Sequence, residues 1–273
     1  MHTGSVENTS GSPWDTGTNP EFFQYYEEAS LSPKTLERFM AVRDNILRIL
    51  GERGQVKHLE VADIGCGAGA GCHLWAGLGH RVHGLDINEP LIRLARERAR
   101  AAELAIEFDV GSATSLPWPD MSMDVCVAPE LLEHVKDWEA CLDEFVRVLK
   151  PGGALYISTS NWLCPSQQEF NLPLYSWYPP PLKRRYERLA VTTRPEIANH
   201  AKYPAVNWFS YYSLKKALAS RGLGILDRFD MMNTASKSQM SRVLVDLIRR
   251  APPLRFAGHI ATPYTVVLGF KDH

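Results

Sequence analysis

Two carboxylates flank a glycine loop in this chain, and their placement points to a specific kind of ligand. Asp63 stands just before Gly65-Cys66-Gly67-Ala68-Gly69, and Asp86 closes the next apolar run, Arg81-Val82-His83-Gly84-Leu85-Asp86. Strand, glycine turn, helix, second strand and acid make the outline of a nucleoside-binding βαβ unit. The glycines let backbone approach a ligand closely, and the second acid can accept from both ribose hydroxyls. Gly65, Gly67 and Ala70 also fit a loose G-x-G-x-x-A, so the loop alone leaves a dinucleotide, or a tight turn that binds nothing, open. Asp63 separates the ligand classes: a carboxylate there repels a pyrophosphate and attracts an ammonium and a sulfonium. That balance favours S-adenosylmethionine over a nicotinamide dinucleotide, with an NAD-dependent oxidoreductase as the alternative.

The elements that must position these groups alternate. Leu59–Ile64, Arg81–Asp86, Ala105–Asp109, Asp124–Ala128 and Ala154–Thr159 read as strands. Helices are expected over Gly69–Gly79, Glu89–Glu103 and Trp138–Leu149, the last stopped by Lys150-Pro151-Gly152-Gly153. Such alternation implies an α/β fold, a Rossmann-like, mostly parallel sheet with helices on both faces. Leu36, Phe39, Met40, Ile46, Leu47 and Leu50 mark an earlier helix with a start at Ser32-Pro33. Beyond 212, a helix at Ser213–Arg221, a strand near Gly224–Met231, a helix at Ser238–Arg250 and a strand at Tyr264–Phe270 complete the pattern. The Met240, Val243, Leu244, Leu247 and Ile248 face reads as core or dimer contact rather than membrane anchor.

Taken together, Asp63-Ile64-Gly65-Cys66-Gly67, Leu85-Asp86-Ile87, Leu116-Pro117-Trp118, Leu132-Glu133-His134-Val135 and Arg147-Val148-Leu149-Lys150-Pro151-Gly152-Gly153 resemble the class I S-adenosylmethionine-dependent methyltransferases. The likeness is to the subgroup that includes the quinone-biosynthesis enzymes, and it is good over 59–159. It implies a seven-stranded sheet and cofactor contacts from Asp63, Gly65, Cys66, Gly67, Asp86, Ile87, Ser112, Ala113, Pro129 and Glu130. Gly111-Ser112-Ala113 departs from the family, which often carries an acid at Ser112 for the adenine amine.

Three groups are candidate bases for the acceptor. Glu130 and His134 follow strand four, where this fold places its reaction centre, and His200 lies in a long loop. Glu133 and His134 read first as residues that cap and pack the following helix, with a divalent ion held by Glu130, Glu133 and His134 as a minor alternative. Residues 160–212 are rich in proline and aromatics and are expected to form a substrate lid over the cofactor's methyl group. The resulting expectation is methyl transfer to a small or medium organic acceptor, a hydroxyl first, with carbon, amine or sugar acceptors as alternatives. No metal is required by it.

Composition narrows the setting. A net charge of −1 provides no global field for nucleic acid or an anionic membrane, so the expected partner is a small molecule, and a membrane surface is the less favoured one. Five cysteines without a C-x-x-C pair argue for a reducing, cytoplasmic compartment. Residues 1–19, rich in Ser, Thr, Gly and Asn, read as a disordered leader, and 20–273 as a single domain, as monomer or homodimer, with 160–212 inserted.

Overall fold

In the computed structural model, residues 27–54, 58–167, 169–198, 205–235 and 237–271 are described; the leader and His200 lie outside them. Seven strands form one sheet: β1 (Glu60–Ile64), β2 (Arg81–Asp86), β3 (Ile106–Val110), β4 (Met123–Pro129), β5 (Leu149–Ser160), β6 (Leu223–Asp227) and β7 (Tyr264–Lys271). Their order is β3-β2-β1-β4-β5-β7-β6, and β7 runs antiparallel to both neighbours. The chain order reverses beside β1, which pairs with β2 on one side and β4 on the other. A crevice opens at such a switch point, at the carboxyl ends of the strands.

Helices α1 (Pro33–Glu52), α2 (Ala70–Ala76), α3 (Glu89–Ala101) and α4 (Trp138–Val148) cover the sheet. Alternate residues of β4 face opposite cores, as strand geometry requires. Val125 and Val127 join Ile46, Leu50, Trp75 and Ile92 on one face. Cys126 and Ala128 join Leu142, Phe145 and Leu214 on the other. Burial on both faces is why these strands read as continuous apolar runs. Helix starts are marked by side-chain caps: Ser32 Oγ accepts from Thr35 N at 3.3 Å and Asn88 Oδ1 from Leu91 N at 3.2 Å.

Three expectations need correction. Lys150-Pro151-Gly152-Gly153 ends the helix as expected, but the strand starts before Ala154: β5 begins at Leu149 and runs through this stretch with a register shift opposite Met123 and Val125. The prolines after 178 do not mark irregular chain: Pro180 opens α5 (Pro180–Thr192). Proline at the first helical turn lacks only an N–H that would be unpaired there anyway. Pro252 does the same for α9 (Pro252–Ile260), which sequence reading missed. Between them lie α6 (Tyr211–Ala219), the short α7 (Arg228–Met231) and α8 (Gln239–Arg250).

The apolar face of α8 is not core within this chain. Met240 is 84% exposed, Val243, Leu244 and Leu247 are exposed, and Val245 is the buried side chain of this helix. Helix α9 is tied down instead by a buried carboxylate. Asp227 accepts from Arg255 Nε at 2.6 Å and pairs with His259 Nε2 at 3.0 Å. Among the described residues no helix is long and apolar enough to cross a membrane, and all five cysteines are free thiols.

Candidate active site

The glycine loop leaves β1 with Gly65 and Gly69 at positive φ, +78° and +79°, a backbone state that side-chain-bearing residues rarely adopt. It brings α2 against the Asp63 carboxylate so closely that a Cβ on Gly71 would sit 2.5 Å from Asp63 Oδ2. Asp63 is buried, and its oxygen accepts from the Cys72 thiol at 3.3 Å. Burial pushes this carboxyl up to about 6; the thiol hydrogen bond offsets part of that, and the Asp86 charge adds to it. A buried carboxylate whose donor is a thiol is suited to receive a cation.

Asp86 organises the loop from the neighbouring strand. Its Oδ2 accepts from Gly67 N at 2.8 Å and its Oδ1 from Asn88 N at 2.9 Å. Burial raises its carboxyl as well, opposed by those backbone donors. Each oxygen keeps a second lone pair. A cleft of about 310 Å³ runs past Asp86, Ile87, Ser112, Ala113 and His134. Ile87, 57% exposed, offers an apolar face there. Ser112 Oγ lies 2.7 Å from Thr114 Oγ1, so this hydroxyl is engaged within its own turn. The structure thus brings Asp63, Gly65, Cys66, Gly67, Asp86, Ile87, Ser112, Ala113, Pro129 and Glu130 around adjoining clefts.

A second cleft, about 250 Å³, continues from Gly65 to Pro129, Glu130, Glu133, His134, Glu169 and Tyr264, with Arg38 and Phe39 of α1 on its wall. Glu130 holds a left-handed backbone, φ 53°, unusual for a non-glycine residue. Its N–H donates to Ser158 O at 2.8 Å, and its carboxylate pairs with Arg38. Glu133 is only 1% exposed. Its Oε2 accepts from Thr159 Oγ1 at 2.8 Å, while Oε1 has no hydrogen-bond partner among the described residues. Burial lifts the Glu133 carboxyl to about 8, opposed by its own backbone N–H and by Thr159 and helped by the charges of Glu169 and Glu130. Glu169 is raised in the same way, first by burial and then by Glu130.

These placements alter the expected roles. His134 lines both clefts, but burial lowers its pKa to about 4, which makes it a poor proton acceptor near neutrality. Glu130 is engaged by Arg38. Glu133, read from sequence as a helix cap, instead offers its side chain to the cleft. Arg38, Glu169 and Tyr264 join it from α1, the inserted segment and β7. No local spacing announces Arg38 or Tyr264. Among the described residues, no three His, Cys, Asp or Glu side chains are grouped to hold a metal ion.

The described part of the inserted segment has a small core of its own. Part of its aromatic set packs on itself: Phe170 stacks on Tyr175 with centroids 4.1 Å apart, and Tyr178, Tyr186 and Trp208 close around them, while Trp162 and Trp177 are exposed. Among the described residues, its contribution to the cleft wall is Glu169. The segment is tied to the site through Val206 N and Asn207 N, which donate to Glu133 O at 2.8 and 3.1 Å.

With that geometry in hand, comparison with known proteins is informative. Residues 62–157 match the family described as a methyltransferase domain. A protein of Mycolicibacterium smegmatis, named a probable S-adenosylmethionine-dependent methyltransferase, is 40% identical over 102 residues, covering 37% of this chain and 38% of that one. The ubiquinone biosynthesis O-methyltransferase of a Chelativorans species is 30% identical over 128 residues, covering 45% of this chain and 51% of the other. The chain therefore spans about half or less of the length of these curated relatives. In three dimensions it is similar to phosphoethanolamine N-methyltransferase 2 of Haemonchus contortus, solved with S-adenosyl-L-methionine. The TM-score is 0.52 at 16% identity, over 92% of this chain and 60% of that one. At that identity the likeness establishes the fold.

Proposed function

Because residues 62–157 match the methyltransferase-domain family, we propose that this protein transfers the methyl group of S-adenosylmethionine to a small or medium organic acceptor. The observation that carries the reading is Asp63, a buried carboxylate beside the glycine loop whose donor is a thiol. An ammonium group completes that arrangement, and a pyrophosphate would be repelled by it. Asp86 would hold the ribose hydroxyls, Ile87 and Ala113 would flank adenine, and Pro129 would line the methionine arm. S-adenosylmethionine supplies a methyl carbon already activated by a positive sulfur.

The chain's own contribution is alignment, exclusion of water and custody of a proton. Glu133 is the group suited to the last task, since a base works best with a pKa near the operating pH and this one is lifted to about 8. Such a base serves the hydroxyl acceptor expected from the sequence, and it serves an amine equally; the relatives include both O- and N-methyltransferases. A cytoplasmic location belongs to the same proposal, in keeping with five free thiols. Calorimetric titration decides between cofactors. S-adenosylmethionine and its demethylated product are expected to bind at about micromolar levels, and NAD negligibly. Tighter binding of NAD overturns the reading.

A further inference from the structure

We propose that the acceptor is a cationic amine whose nitrogen seats between Glu133 and Glu169, with Glu133 taking its proton. The inference deepens the methyl-transfer reading and rests on it. Three carboxylates, Glu130, Glu133 and Glu169, line the acceptor cleft, and Arg38 pairs with Glu130. Two carboxylates are thus left to be matched by what enters.

A cluster of acids alone would be a weak argument; the decisive observation is Glu133 Oε1. The side chain is 1% exposed and lines the cleft, and that oxygen lacks a hydrogen-bond partner among the described residues. A buried polar atom left unpaired costs about 1–3 kcal/mol, which a donor placed in the cleft would relieve. A hydroxyl can donate once, but it brings no positive charge that would let both acids ionise. An ammonium brings three donors and a positive charge, and so addresses both.

The groups facing Glu133 are Glu130 with its partner Arg38, the adjacent His134, Thr159 of β5, Glu169 of the inserted segment and Tyr264 of β7. Burial and the neighbouring carboxylates keep Glu133 protonated at neutral pH, with its pKa near 8. An incoming ammonium reverses that preference, so Glu133 releases its proton to solvent on binding. Proton transfer back from nitrogen to Glu133 then converts ammonium to amine and carboxylate to acid, and the proton balance closes without a further reactant.

The test uses the full chain saturated with S-adenosylhomocysteine, titrated calorimetrically with amine and alcohol pairs of one skeleton: 2-phenylethylamine against 2-phenylethanol, tyramine against tyrosol, and hexylamine against hexanol. Amines are expected to bind at least about tenfold more tightly than their alcohols. Repeating the titration in phosphate and MOPS, which have different ionisation enthalpies, at pH 7 should show release of about one proton per amine bound. Glu133→Gln and Glu169→Gln should each collapse the amine preference with S-adenosylhomocysteine affinity retained. Alcohols that bind as tightly, a complete lack of amine binding, or a preference that survives both substitutions overturns the inference. Failure of S-adenosylhomocysteine itself to bind is a different result, and it overturns the methyl-transfer reading beneath.

Discussion

The two halves of the cleft are built in different ways. On the cofactor side the chain uses backbone: glycines at positive φ, and an Asp86 carboxylate that accepts from the N–H groups of Gly67 and Asn88. On the acceptor side it uses side chains drawn together from α1, the turn after β4, the inserted segment and β7. The first half is pre-formed and well satisfied. The second holds an unpaired carboxylate oxygen and a glutamate in left-handed backbone. Unmet polar groups and local strain are tolerated where a ligand is to complete the arrangement.

The sharpest test of that division is Glu133→Gln. If Glu133 holds the acceptor's proton, turnover should fall by about 10²–10⁴, while S-adenosylmethionine affinity stays within about twofold of the parent. Single-turnover assays alongside calorimetry would show it. A parallel loss of cofactor affinity would mean that the halves are not separable.

Asp86→Ala strikes the other side. Loss of the acceptor for two backbone N–H groups and for the ribose hydroxyls should weaken S-adenosylmethionine by about 1–3 kcal/mol. Because Asp86 also anchors the loop through Gly67, melting temperature should fall as well. Affinity that holds while melting drops would reduce Asp86 to a structural role.

The same division explains what could be read in the sequence. Strand, glycine loop, helix and acid lie within a short stretch, and each is positioned by local rules of glycine conformation and strand alternation; so the βαβ unit and the placement of Asp63 and Asp86 against the glycine loop were legible. The acceptor half was not. Arg38 and Tyr264 lie at opposite ends of the described chain and meet only because the sheet order places α1 and β7 around the end of β4. Glu133 could have been suspected from Glu130-Leu131-Leu132-Glu133-His134, but it is burial, not spacing, that raises its pKa and lowers that of His134. The aromatics of the insertion are ambiguous in sequence for a related reason. Composition announces rings but not whether they stack on a ligand or on each other, and here Phe170 and Tyr175 chose each other.

Proton linkage offers a subtler contrast. Asp63 carries a pKa raised to about 6 and Glu133 one raised to about 8. A ligand bearing an ammonium prefers ionised Asp63, so S-adenosylmethionine affinity should rise with pH and level off above about 6, dropping toward tenfold per unit below it. Stability runs the other way. The folded state retains protons that the unfolded chain releases, so each raised carboxyl makes the unliganded protein less stable as pH climbs from its ordinary pKa to its folded one. For Glu133 that window runs from 4.5 to about 8. Glu133→Gln should therefore flatten the fall in melting temperature over that range. An unchanged slope would place the titration elsewhere.

The smallest expected effect comes from outside both halves, in the packed aromatic segment. Tyr175 is fully buried, stacks on Phe170 and donates its hydroxyl to Glu187 Oε1 at 3.2 Å. Tyr175→Phe keeps the ring and the stacking and deletes one hydrogen bond, worth about 0.5–1.5 kcal/mol. The lower end is expected, because Glu187 is only half-buried and can recover a partner from water. If the aromatics form a self-contained core that serves only to carry Glu169 to the cleft, melting temperature should dip slightly and S-adenosylmethionine affinity should not move. The amine preference of the acceptor side should survive too, since the backbone that holds Glu169 is anchored by Gln167, whose Oε1 accepts from Glu169 N at 2.7 Å and Phe170 N at 2.8 Å. A loss of cofactor affinity in this variant would show that the ring cluster supports the nucleoside pocket, and the boundary between the two halves would have to be redrawn around it.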